Sequence, residues 1–172
     1  MNKAVMLSIR PKWVEKIANG EKTIEVRKTQ PKLETPFKCY IYCTLPKYPH
    51  EDFIATDYPM PQFYGGGKVV GEFTCDQIID AWWDYVPDAI TREVTGGNLE
   101  ALDGIGMTDE ELFSYVGDSM RGHCYGWHIS DLLIYDQPKG LDEFTRLRET
   151  KFGSEPVTIK RAPQSWCYVE EG

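Results

Sequence analysis

Eight residues, Gly20-Glu21-Lys22-Thr23-Ile24-Glu25-Val26-Arg27, restrict the fold more than any other stretch of this chain. They follow an apolar run and a short helical pattern, and they pack a lysine, a carboxylate and an arginine between positions 22 and 27. As a strand from Thr23 to Arg27, side chains alternate between two faces. Ile24 and Val26 then share one face, and Thr23, Glu25 and Arg27 share the other, with Lys22 at the mouth. One face enters a core while the other presents charge of both signs, a surface suited to a small polar ligand or a nucleotide. The competing reading is an ordinary edge strand whose solvated Glu25–Arg27 pair is worth little.

The flanking pattern supplies the rest of a small β-rich domain. Ala4 to Ile9 reads as a buried strand. Pro11 suits a first helical position, because its missing N–H has no partner there anyway. Trp13, Val14, Ile17 and Ala18 recur at helical spacing, and Gly20 closes the helix. Lys38 to Thr44 alternates Cys39, Ile41 and Cys43 against Tyr40 and Tyr42. A proline-rich connection from Pro46 to Gly67 follows, then a strand from Lys68 to Cys75 that extends toward Asp80. Positions 81–122 read as an inserted helical segment, with Thr108 and Glu111 spaced for a capping box. Tyr125 to Ile129 is a further strand, Leu132 to Tyr135 continues it or forms another, and the C-terminal Trp166 to Val169 closes the set. The expected architecture is α+β: one domain over residues 1–172, a small mixed β-barrel with short helices at its openings.

Length and charge narrow the function classes. The 172 residues suffice for one domain with a real core. A net charge of −8 argues against a tight grip on long nucleic acid, yet leaves room for a local basic pocket that takes one nucleotide. No apolar run approaches a membrane span, and the N-terminal apolar stretch is too short for a secretory signal. A cytoplasmic protein with five reduced cysteines is expected. No metal or cofactor is expected. Cys39 and Cys43, four apart on a strand, stand roughly 13 Å from each other, too far to share an ion. His123, Cys124 and His128 offer no clear fourth ligand. Among the thiols only Cys124, beside His123, has a partner for catalysis. The run Gly65-Gly66-Gly67-Lys68 lacks the spacing of a phosphate loop and reads as a connection.

Leu7-Ser8-Ile9-Arg10-Pro11 followed by the Gly-x-Lys-x-x-Glu-x-Arg pattern of Gly20 to Arg27 resembles the opening of the ASCH family (activating signal cointegrator homology) of the PUA-like superfamily. Val69 to Phe73 and Tyr125 to Ile129 resemble its later barrel strands. The resemblance implies a PUA-like barrel with a cleft beside the motif, binding RNA or a nucleotide-like molecule. One branch of the family hydrolyses N4-acetylcytidine with a lysine, a threonine three residues later and a distant glutamate. Lys22 matches that lysine, but Glu25 stands at the threonine position. Gly104-Ile105-Gly106 stands where the glutamate is needed. No residue pattern here selects the branch reported to cleave RNA.

The candidate ligand-binding residues are therefore Ser8, Arg10, Lys22, Thr23, Glu25 and Arg27, with Gln164, Ser165 and Trp166 from the C-terminal end. Lys22 and Glu25 would be the catalytic pair if the protein is an enzyme, a small amidohydrolase or ribonuclease. Trp13, Trp166 and Tyr168 are candidates to stack on a base, although core packing is the better reading of Trp13. A third reading is a protein-interaction module that presents Trp82 and Trp83 on an exposed apolar patch.

Overall fold

In the computed structural model, which describes residues 2–56, 62–84 and 96–172, alternation is the organising principle. Strand β1 (Lys3–Ile9) runs parallel to β3 (Phe37–Cys43) and antiparallel to β11 (Trp166–Glu170). The long strands β6 (Lys68–Asp84) and β8 (Arg121–Lys139) form the next two ladders, and β2 (Ile24–Arg27) ends the sheet against β8. The order is β11-β1-β3-β6-β8-β2, and a two-residue strand, β7 (Gly96–Gly97), pairs with the far end of β6. Outside the sheet lie two short hairpins, β4 (Phe53–Ala55) with β5 (Gln62–Tyr64), and β9 (Thr145–Thr150) with β10 (Gly153–Thr158).

The expected barrel is not closed. Ladder pairing stops at β2, which among the described residues has a strand partner on one side only. The bonds that join β2 to the opposite end of the sheet come instead from the Arg27 side chain, which reaches the Ser8 carbonyl on β1.

Three apolar clusters follow from the alternation. Cys39, Ile41 and Cys43 of β3 pack with Val5, Leu7 and Ile9 under helix α1 (Pro11–Ala18), whose Val14, Ile17 and Ala18 cover them. Tyr40 and Tyr42 face the other way, toward Met6, Phe144 and Val169. The third cluster holds Ile24 and Val26 against Trp83, Leu102 and Leu112. Helix α1 ends at Asn19, and Gly20 turns away with φ +75°, the left-handed conformation that favours glycine.

The inserted segment differs from the helical expectation. Ala81 to Asp84 simply continue β6, because Trp83 alternates inward while Trp82 alternates outward. Helix in the described part of this segment is limited to one 3-10 turn (Leu99–Leu102) and α2 (Asp109–Val116). α2 starts as its sequence dictates: the Thr108 hydroxyl accepts the Glu111 N–H at 3.2 Å, and the Glu111 carboxylate accepts the Thr108 N–H at 3.0 Å. The part of this segment at 85–95, like residues 57–61 of the proline-rich connection, lies outside the described residues.

Candidate functional site: a cleft floored by buried charge

Strand β2 delivers Glu25 and Arg27 to one side of the sheet, and the turn after α1 delivers Lys22 beside them. The sequence suggests a half-exposed strand with Lys22 at its mouth. In the structure both faces of β2 are covered, and Lys22, Glu25 and Arg27 are only 2%, 6% and 6% exposed. α2 and the preceding loop supply the second cover, packing on Ile24 and Val26. Lys22 thus lies at the floor.

The three charges form a line. Glu25 Oε1 is 2.9 Å from Arg27 Nη2, and Glu25 Oε2 is 3.3 Å from Lys22 Nζ. Lys22 also donates to the Ile24 carbonyl at 2.9 Å and the Ile105 carbonyl at 2.7 Å. Arg27 donates through Nη2 to the Ser8 carbonyl at 2.9 Å, and through Nη1 to the Ser165 carbonyl and hydroxyl at 3.2 and 3.3 Å. Burial pulls the Lys22 ammonium below its ordinary pKa, and the Glu25 carboxylate opposes that pull.

Gly104-Ile105-Gly106 accounts for the lysine's environment. Gly104 and Gly106 have φ +103° and +64°, which turn the chain so that successive carbonyls face the β2 entrance. The Gly104 carbonyl takes the Thr23 and Ile24 N–H groups, that of Ile105 takes Lys22, and that of Gly106 takes Lys16 Nζ at 2.8 Å. The 104–106 segment thus supplies the backbone acceptors that fix Lys22 and Lys16.

Above this floor opens a cleft of about 980 Å³. Ser8, Arg10, Lys22, Glu25, Arg27, Gln164 and Ser165, all expected at the site, line it together. Thr23 and Trp166 do not. Thr23 is exposed, since its backbone is tied to Gly104 and regular β2 pairing starts one residue later. Register pairs Trp166 with Leu7, which places its ring against Trp127 and Tyr168 with Nε1 donating to the Thr29 hydroxyl at 2.9 Å.

Sequence reasoning missed the wall formed by α2. Met107, Glu110, Glu111, Ser114 and Tyr115 all border the cleft. The capping box announced the helix, but nothing local revealed what it would face. Burial pushes the Tyr115 hydroxyl up in pKa, with the Arg27 charge opposing. Trp13, half-buried, lines the opposite side and also packs on the core, with Lys12, Lys16 and Lys22 Nζ 4.4, 5.4 and 5.5 Å from its ring centre. An ion pair between Lys12 of α1 and Glu111 of α2 joins the two helices. Five cationic side chains and three carboxylates line the cleft, so it is locally positive within an acidic protein.

The thiols lie elsewhere in chemical character. Burial raises Cys43 and Cys75 to about 12 and Cys124 to about 11, and holds Cys39 well above the ordinary thiol range. His123 is on the opposite face from Cys124, with Nε2 2.6 Å from Asp80 Oδ1. These four thiols are expected to resist Ellman's reagent at pH 8 in the native protein and to react promptly in urea. Rapid native reaction of Cys124 would show that its thiol is activated after all. On the β6–β8 arm Trp83 is buried and Trp82 is 47% exposed, so the tryptophan pair does not form one exposed patch.

No protein-family profile matches the chain, and no curated protein does. Solved structures do. A crystal structure of a tyrosine-to-phenylalanine variant of an ASCH protein from Zymomonas mobilis matches with a TM-score of 0.53 at 15% identity, covering 99% of this chain and 92% of that one. A serine-to-alanine variant and the ASCH protein itself match with TM-scores of 0.52 and 0.51, each at 15% identity and over 98% of this chain, covering 89% and 88% of theirs. The fold is ASCH-like and sheet-dominated, and no helix among the described residues is long and apolar enough to cross a membrane.

Proposed function

We propose that this ASCH-like module binds a nucleotide, free or as an exposed unit of RNA, in the cleft above Lys22, Glu25 and Arg27. The observation that carries this reading is the line of three buried charges at the base of an open cleft. Ion pairs inside a protein are a poor way to gain stability, because desolvation offsets their attraction. Two of them, sharing three charges beneath a cavity of ligand size, are more simply understood as a preformed recognition floor. Trp13 and Tyr115 supply aromatic faces at its sides, a setting in which one base–ring stack is worth roughly 1–3 kcal/mol. The overall charge of −8 favours a single nucleotide over a long strand.

The lysine's contacts favour binding over hydrolysis. An amine attacks or accepts a proton only with a free lone pair. Lys22 donates to two carbonyls and stands 3.3 Å from the Glu25 carboxylate, an ion-paired setting that favours the ammonium. Incubation with N4-acetylcytidine is therefore expected to release no cytidine.

Calorimetric titration with nucleosides, nucleoside 5′-monophosphates and short RNAs tests the binding reading. Saturable binding is expected, and it should disappear in the Lys22→Ala/Arg27→Ala double variant, with circular dichroism as the folding control. Absence of binding across the panel, or undiminished binding by a folded double variant, would refute it.

A further inference from the structure

Beside the two buried ion pairs of the floor, the cleft has a third between its walls. Lys12 of α1 pairs with Glu111 of α2, and both residues line the cleft. This pair lies in water, with its side chains 59% and 33% exposed. Exposed pairs contribute little, so an incoming charge can take one partner at small cost. The two partners are not equally free. One Glu111 oxygen meets Lys12, and the other accepts the Thr108 N–H at 3.0 Å to close the capping box of α2. The Lys12 ammonium meets Glu111 and the Trp13 ring, whose centre is 4.4 Å from Nζ. It therefore stands beside the surface on which a base would stack.

The other cations divide by depth. Lys22 and Arg27 are committed at the floor to Glu25 and to backbone carbonyls. In the part of the cleft open to water, exposed Arg10, Lys12 and Lys28 stand against two carboxylates, Glu110 and Glu111, an excess of one positive charge. That balance suits one phosphate group and not the several charges of a triphosphate. Resting on the nucleotide-binding reading above, we infer that Lys12 is the phosphate ligand of the cleft, exchanging Glu111 for a phosphate oxygen, and that Glu111 stays in place and confines the cleft to a single phosphate. Lys12 can make this exchange because its stem is flexible and its ammonium has three donors. Glu111 cannot follow, because the Thr108 N–H holds it.

Calorimetry with uridine, uridine 5′-monophosphate and uridine 5′-triphosphate tests the exchange. The ratio of monophosphate to nucleoside affinity isolates the phosphate contact, since any change in base stacking cancels. In the wild-type chain this ratio should exceed one at low salt and shrink as salt rises, and the triphosphate should bind no tighter than the monophosphate. Lys12→Gln should lower the ratio by about fivefold. Glu111→Gln removes the charge and keeps an amide oxygen for the Thr108 N–H, so the cap survives. It should raise the ratio by about threefold, and triphosphate affinity by more. A ratio that Lys12→Gln leaves unchanged would overturn the inference, as would one that Glu111→Gln lowers or leaves unchanged, or a wild-type preference for the triphosphate; nucleotide binding itself would stand in each case. If no nucleoside or nucleotide binds at all, the underlying reading falls and this inference falls with it.

Discussion

Glu25→Ala is expected to destabilise the fold by about 3–5 kcal/mol, the usual cost of stripping the partner from a buried charge. Among the described residues Glu25 is the single carboxylate in contact with both Lys22 and Arg27. Without it two cations remain packed together at 2% and 6% exposure, with repulsion added to desolvation. Urea unfolding monitored by tryptophan fluorescence measures the loss. A change below about 1 kcal/mol would place the three groups in a far wetter setting than the structure gives them. A further variant separates stability from function. Replacing Lys22, Glu25 and Arg27 together by methionine, leucine and methionine removes every charge, and such replacements are often close to neutral. This triple variant should recover much of what Glu25→Ala loses and bind no nucleotide.

Arg27→Ala is expected to cost a similar amount, about 3–5 kcal/mol, for a different reason. The guanidinium holds the open end of the sheet, reaching β1 through Ser8 and the C-terminal segment through Ser165. Its removal leaves the Ser8 and Ser165 carbonyls without that donor and Glu25 with Lys22 alone. Arg27→Lys keeps the charge but loses the planar fork, so about 1–3 kcal/mol of the loss should persist. Because Glu25 and Arg27 share one network, Glu25→Ala/Arg27→Ala should cost clearly less than the two single losses combined. Strict additivity by urea unfolding would show that the pair is not coupled.

Alternation made much of this fold legible in the sequence. Cys39, Ile41 and Cys43 had to share a face, Pro11 and Gly20 bracketed a helix, and Thr108 with Glu111 announced another. The order in which strands pair is not written in any local pattern, and neither was the open end that Arg27 bridges. Trp82 and Trp83 show a second limit. Their neighbours suggested an insertion with helices, but hydrogen bonding to β8 carried β6 on through both residues, burying one ring and exposing the other. At the site, residue type identified Lys22, Glu25 and Arg27, while depth was illegible: a charged strand face reads as solvated until β1 and the C-terminal segment that receive Arg27 are known to close over it. Thr23 was assigned by strict alternation, and the Gly104 carbonyl overrides that pattern by capturing its N–H. Tyr115 joins the cleft only through a contact distant in sequence, which no spacing rule anticipates.

The central claim is that a nucleotide seats on the buried charges of β2. Arg27 lines the base of the cleft and donates through both Nη atoms there, so its side-chain proton–nitrogen NMR signal reports on that seat. Titration with uridine 5′-monophosphate is expected to shift this signal, together with the indole N–H of Trp13. Binding that leaves Arg27 and Trp13 unmoved, while shifting the exposed Trp82 indole on the β6–β8 arm, would contradict the account.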